Sequence, residues 1–334
     1  MQPSTRKKLN VAVVGLGKMG ILHTSLLNVQ SNVHIAALCD KSYLMRRLAK
    51  STLKSPLVTG DITELARLDL DAVFVTTPIP SHYGIVKMIY EDNIANNVFV
   101  EKTLSSSFNG SEDLFNLSQR NKGITMVGYM KRFSVIFKKA KELLAEQILG
   151  KLISFDAYAY SSDFVGVKHA SSGSSARGGV IEDLGSHVAD LALWFFGDLS
   201  VQSAETQSMV SPDSVDSATF GVQGANGLQG TFDVSWVKPG YRMPEFGFAI
   251  EGEKGVILVD DNELKIELNK TQETRLYRQN LDDQVLFLLG DPEYFREDTH
   301  FVASIVENTY PKTNFQTAMK VDFLLEEVRR KSNG

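Results

Sequence analysis

Between residues 9 and 127, short apolar runs alternate with amphipathic stretches, and this alternation restricts the chain to few folds. The runs 9–14, 33–39, 71–76, 97–100 and 123–127 read as strands, and the segments between them as helices. Strands that regularly alternate with helices lie parallel, because each helix carries the chain back across the sheet; the expected class is α/β with a doubly wound parallel sheet. The first strand runs into Gly15-Leu16-Gly17-Lys18-Met19-Gly20, and an apolar periodic segment, 21–29, follows. In this strand–turn–helix setting each glycine has a task. Gly15 permits the tight turn, Gly17 lets a pyrophosphate approach the backbone, and Gly20 lets helix and strand pack closely. The free N–H groups at the helix start then offer themselves to phosphates. The sheet is therefore expected to be of the Rossmann type.

The second strand ends at Asp40, the right distance downstream for a carboxylate that accepts hydrogen bonds from an adenosine ribose. Its charge argues for NAD over NADP. Lys41, Arg46 and Arg47 follow closely and offer charge for a 2′-phosphate, but they also read as the solvated face of a helix. The third strand ends in Thr77-Pro78-Ile79-Pro80-Ser81-His82 and the fourth in Glu101-Lys102. Carboxyl ends of parallel strands meet the ligand crevice. Taken singly, His82 is a helix-start residue and Lys102 a surface lysine.

A second unusual stretch is 178–197, GGVIEDLGSHVADLALWFFG, which contains no Lys or Arg. Read as one helix, it puts Asp183, His187, Asp190 and Trp194 on one line. Ile181, Leu184, Val188, Leu191 and Phe195 form an apolar line, and Gly185, Ala189 and Ala192 a small-residue line open to another backbone. Burying a carboxylate and an imidazole is costly unless they are paired. A core pair without function and a catalytic pair both satisfy that demand.

The length of 334 residues suggests two domains, and the net charge of −5 gives no footing for nucleic-acid or polybasic membrane binding. Cys39 is the one cysteine, which excludes an intrachain disulfide and fits a reducing compartment. The basic start lacks the apolar region of a signal peptide, and no apolar run spans a bilayer, so a cytoplasmic protein is expected. No Cys or His cluster suggests a metal site.

Five motifs then occur in order: GLGKMGILH, TTPIPSH, VEKTL, GYMKRF and EDLGSHVADLALWFFG. Together they resemble the glucose–fructose oxidoreductase / inositol dehydrogenase / MocA (Gfo/Idh/MocA) family, from about residue 10 to about residue 330. The resemblance implies a cofactor domain, here 1–130, and an α/β domain, 131–334, whose open, mainly antiparallel sheet binds substrate and carries oligomer contacts. It implies that Lys102 is the catalytic lysine and that Asp183 and His187 are the acid/base pair. It implies cofactor contacts for Lys18, Met19, Asp40, Thr77, Pro78, His82 and Glu101, with Tyr129 and Arg132 beside the substrate. The family commonly has Pro after the Glu-Lys pair; this chain has Thr103, which relaxes the restraint on Lys102.

In the second half, 133–149 reads as a helix stopped by Gly150, and 152–160 as a strand. The Ser- and Gly-rich stretch 161–179, with Lys168, His169 and Arg177, reads as a loop over the substrate, in contact with an anionic group or simply solvated. Strand patterns at 218–222, 227–234, 246–251, 256–259 and 264–268 imply antiparallel pairing, with Asn226-Gly227 as a hairpin turn. Helices are expected at 301–308 and 317–330. The implied activity is hydride transfer between NAD or NADP and a secondary alcohol of a sugar, cyclitol or sugar nucleotide, by a homodimer or homotetramer. A silent NAD(P)-binding regulator of the same fold, and a reductase of C=N or enal groups, are the alternatives.

Overall fold

The computed structural model describes residues 8–53, 56–166, 177–210, 214–269, 271–281, 285 and 290–332. The chain forms two units, Met1–Gly128 with Tyr294–Met319 and Tyr129–Glu293 with Lys320–Gly334. The sequence reading placed the division at residue 130 and gave everything after it to the second unit; in the structure, 294–319 belongs with the first.

The first unit is built on six parallel strands: β1 (Leu9–Val14), β2 (Val33–Cys39), β3 (Leu57–Thr59), β4 (Ala72–Val75), β5 (Asn97–Glu101) and β6 (Thr125–Gly128). Their order is β3-β2-β1-β4-β5-β6, with the chain reversing direction across the sheet after β3. Every residue of β4 is buried, as expected of a strand covered on both faces. Helices α1 (Lys18–Asn28), α2 (Tyr43–Thr52), α3 (His82–Glu91) and α4 (Phe108–Asn121) alternate with the strands.

The second unit carries eight strands: β7 (Leu152–Tyr160), β8 (Ser200–Gln207), β9 (Ser217–Gln223), β10 (Gln229–Ser235), β11 (Glu245–Gly252), β12 (Gly255–Asp260), β13 (Glu263–Leu268) and β14 (Gln272–Tyr277). Their order is β14-β13-β12-β11-β7-β10-β9-β8. Among the described residues of this sheet only the β7–β10 pair is parallel. Asn226 and Gly227 adopt φ of 58° and 81° in the turn between β9 and β10, as the Asn-Gly pair requires. Helices α5 (Val135–Ala145) and α6 (Ser186–Phe196) belong to this unit.

One sheet face is a phenylalanine layer. Phe220 stacks on Phe232 at 4.4 Å, and Phe155 on Phe196 of α6 at 4.3 Å. Burying each such ring contributes about 1.5–3 kcal/mol. On the opposite face Asp156 is exposed and Tyr158 and Tyr160 half-buried, so the sheet is open on that side.

Two helices close the chain, α7 (Pro292–Glu307) and α8 (Phe315–Ser332). Phe301 of α7 packs on Phe74 of β4 at 5.3 Å and Phe99 of β5 at 5.8 Å. The Val127 N–H donates to the Thr313 carbonyl at 2.7 Å. The returning segment thus completes the core of the first unit. Among the described residues no helix is long and apolar enough to cross a membrane.

Candidate active site

In the first unit the glycine turn is held by backbone geometry. Gly15 has φ of 95°, and a Cβ there would meet Thr77 Cγ2 at 2.7 Å. A Cβ on Gly20 would fall 1.8 Å from the Gly15 carbonyl oxygen, so helix and turn approach as closely as the third glycine of such a motif demands. A Cβ on Gly17 would meet nothing within 4 Å, which leaves that side open to a ligand. Thr76 Oγ1 donates to the Gly15 carbonyl at 2.7 Å and fixes the turn to the end of β4.

A cavity of about 610 Å³ opens at the carboxyl ends of β1, β2 and β4, lined among others by Gly15, Gly17, Asp40, Thr77, Pro78 and Met88. Asp40 Oδ2 accepts the Leu16 N–H at 2.6 Å and Oδ1 the Ser42 N–H at 2.6 Å. Each carboxylate oxygen keeps a second lone pair, enough for the vicinal hydroxyls of a ribose. A phosphate at that position would meet the carboxylate charge. Arg46 Nη1 donates to the carbonyls of Asp40 and Lys41, each at 2.8 Å. α2, which carries Arg46 and Arg47, buries none of its residues. Lys18 and Met19 lie in the first turn of α1, the lysine exposed and the methionine half-buried. The cavity, the open Gly17 and the Asp40 carboxylate together fit a dinucleotide. Burial pushes the Cys39 thiol in the same cavity up to about 11.

His82 and Glu101 sit beneath this surface. His82 is fully buried, with Nδ1 2.7 Å from the Thr103 carbonyl oxygen and Nε2 2.7 Å from that of Thr77. Burial pushes its ring below the ordinary range, against the pull of both carbonyls. Glu101, also buried, accepts the Lys102 N–H at 3.1 Å. Lys102 is half-buried just past the end of β5, and the Lys102–Thr103 peptide bond is cis.

In the second unit the expected helix over 178–197 is interrupted. Residues Ile181–Gly185 form a π-helical turn, and the regular α6 begins at Ser186. A π turn adds one residue to the register, so spacing counted at 3.6 per turn from Asp183 is offset. Asp183 Oδ2 accepts from Trp236 Nε1 at 3.1 Å and lies 3.5 Å from Arg177 Nη1. Arg177 also donates to Asp163 at 2.6 Å. The sequence leaves Arg177, Lys168 and His169 either in contact with an anion or solvated; Lys168 and His169 lie outside the described residues.

His187 is buried, edge-on to Tyr129 at 6.3 Å and to Phe246 at 5.2 Å. Tyr129 itself is fully buried, and burial raises its phenol well above the ordinary range. Arg132 is not left to face a ligand with an open fork. Its Nε and Nη2 grip the two oxygens of Asp190 at 2.7 and 2.6 Å, both residues buried. Burial pushes the Asp190 carboxyl up, against the guanidinium. On the small-residue line, a Cβ on Gly185 would meet the Val180 carbonyl oxygen at 3.6 Å and the Val234 methyls at 3.9 Å.

Sequence reasoning passed over Trp236, whose one signal was its place next to a strand pattern. It also passed over His23, although that residue closes the GLGKMGILH motif.

Residues 9–129 match an oxidoreductase family with an NAD-binding Rossmann fold, and residues 137–258 match the Gfo/Idh/MocA C-terminal domain. The chain belongs to the Gfo/Idh/MocA oxidoreductase family. It is 25% identical over 270 residues to the myo-inositol 2-dehydrogenase of Thermotoga maritima, covering 76% of this chain and 75% of that protein. It is 29% identical over 174 residues to the galactose/lactose metabolism regulatory protein GAL80 of Kluyveromyces lactis, covering 46% of this chain and 36% of that protein. The fold is similar to that of a levoglucosan dehydrogenase in complex with NADH, with a TM-score of 0.88 at 18% identity, over 98% of this chain and 97% of that one.

Proposed function

We propose that this protein catalyses the reversible oxidation of a secondary alcohol on a sugar, cyclitol or sugar nucleotide, with NAD preferred to NADP. The observation that carries the reading is the presence, in a chain with a dinucleotide crevice, of all three ionisable groups such a reaction needs: Lys102, Asp183 and His187. The first unit holds the cofactor through Gly15, Gly17, Lys18, Met19, Gly20, Asp40, Thr77 and Pro78. Bound there, the dinucleotide supplies the hydride acceptor or donor.

The chain's own residues handle the proton. Oxidation of an alcohol requires its hydroxyl proton to leave as the hydride does. His187, shielded by Tyr129 and Phe246, takes that proton. Lys102 offers a compact positive charge to the developing alkoxide. Asp183, fixed by Trp236, accepts a substrate hydroxyl and sets its orientation. The open face of the eight-stranded sheet, with a groove of about 460 Å³ lined by Asp156, Tyr158, Tyr160 and their neighbours, supports a homodimer or homotetramer.

The test is hydride transfer by purified protein across a panel of sugars and polyols, followed by NADH absorbance. Lys102→Ala and His187→Ala are expected to lower turnover by about 10²-fold or more with NADH affinity retained. Wild-type turnover in both variants rejects the roles. The match to a regulatory protein favours a second reading, a cofactor sensor. Tight NADH binding with no turnover on any polyol, and a protein partner retained only with cofactor present, would establish it.

A further inference from the structure

His23 lies on α1, three residues past the last glycine of the turn, and is completely buried. Its Nε2 is 2.9 Å from Glu101 Oε1 and its Nδ1 2.8 Å from Asp298 Oδ1. Phe99 and Phe74 pack against the ring at 5.1 and 6.0 Å, and Tyr294 meets it edge-on at 6.1 Å. Burial opposes a charge on this ring, but the carboxylates of Asp298 and Glu101 outweigh it and raise the ring well above its ordinary range. Glu297 brings another carboxyl within 4.8 Å of the cluster. Both ring nitrogens meet carboxylate oxygens at hydrogen-bond length.

The second oxygen of Glu101 accepts the Lys102 N–H at 3.1 Å. The connection therefore runs from Asp298 on α7, through His23 on α1, to the Glu101 carboxylate and the backbone of Lys102. On the far side of Lys102, His82 engages the Thr103 carbonyl at 2.7 Å. Main-chain groups on both sides of the lysine are thus held by a buried histidine.

We infer that His23 is a positioning residue for Lys102, acting through Glu101 to fix the end of β5 that carries the amine. Two carboxylates converging on one imidazole hold it more firmly than either alone, and charge-assisted bonds are about twice as strong as neutral ones. An amine that must meet a developing alkoxide loses about 10²-fold in rate for roughly 1 Å of misplacement. The inference rests on the reading of Lys102 as the group that serves the reacting alcohol.

The experiment compares wild type, His23→Gln and Asp298→Asn, each reductively methylated with ¹³C-formaldehyde, with Lys102→Arg assigning the Lys102 signal. In His23→Gln the Lys102 signal is expected to shift and its titration to move, while the signals of Lys41 and Lys50 stay in place. NADH affinity, read by fluorescence, stays within about threefold, and turnover with the polyols the wild type accepts falls at least tenfold. Asp298→Asn gives the same pattern more weakly. An unchanged Lys102 titration in His23→Gln overturns the inference, as does an equal movement of every lysine signal. Should His23→Gln fail to fold, Glu101→Gln is read for the same Lys102 signature, and its absence there is equally fatal. A wild type that turns over no polyol refutes the proposed reaction, while the Lys102 signal still decides the role of His23.

Discussion

The dinucleotide crevice and the helix that carries His187 are held by opposite means. The crevice is held through its main-chain groups: the Gly15 carbonyl accepts from the Thr76 hydroxyl, the Leu16 and Ser42 N–H groups donate to the Asp40 carboxylate, and Gly20 fits because it has no Cβ. The helix is pinned by side chains from distant positions: Arg132 on Asp190 and Trp236 on Asp183. A backbone-built site fails by steric exclusion, and a side-chain-built one by stranding a charge. The two should therefore respond differently to single substitutions.

The largest expected effect is on the helix. Asp190→Ala removes the carboxylate that grips the buried Arg132 and should cost about 3–5 kcal/mol in urea denaturation. The double variant Arg132→Met/Asp190→Leu should recover most of that loss. A single variant that costs less than about 1 kcal/mol would erase the contrast between the regions. In the crevice, Gly20→Ala drives a methyl into the Gly15 carbonyl and should cost about 1–3 kcal/mol. Gly17→Ala enters open space, so stability should stay within about 0.5 kcal/mol while NADH affinity falls more than tenfold. Calorimetry with and without NADH separates the two.

The buried His23 cluster sharpens the comparison through pH. Its ring holds a proton in the folded protein above the value near 6.5 that it has when unfolded. Its contribution to stability is therefore complete below about pH 6.5 and is lost as pH rises through the folded value. Asp298, whose carboxyl burial pushes up, acts in the same direction. Unfolding free energy of wild type relative to His23→Gln should decline with rising pH, by no more than about 1.4 kcal/mol per pH unit. A flat difference across that window contradicts a charged ring. The smallest effect is expected at Trp236→Phe, which removes one hydrogen bond to Asp183 at about 1 kcal/mol and should lower turnover severalfold.

What the sequence revealed follows the same contrast. β1, β2 and β7 were legible to the residue, because their apolar patterns are complete and end at a turn or a charge. β3 is three residues long, and β8 and β14 are mostly exposed, so no periodicity marks them. α7 begins nine residues before the apolar pattern suggested, because buried Glu293, Glu297 and Asp298 break that pattern. Gly15, Gly17, Asp40, Thr77 and Pro78 were legible as neighbours because a glycine turn and strand ends dictate where they fall. The π turn was not: its extra residue leaves the composition of the segment unchanged and shifts only the count. Nor was the engagement of Arg132 by Asp190, since both residues suit a ligand site as well as each other.

The return of residues 294–319 to the first unit bears on how the protein is made. A nascent chain leaves the ribosome from its amino end, so Phe74, Phe99 and His23 emerge long before Phe301 and Asp298. Until residues 294–319 emerge, the earliest part of the chain must carry an incomplete core.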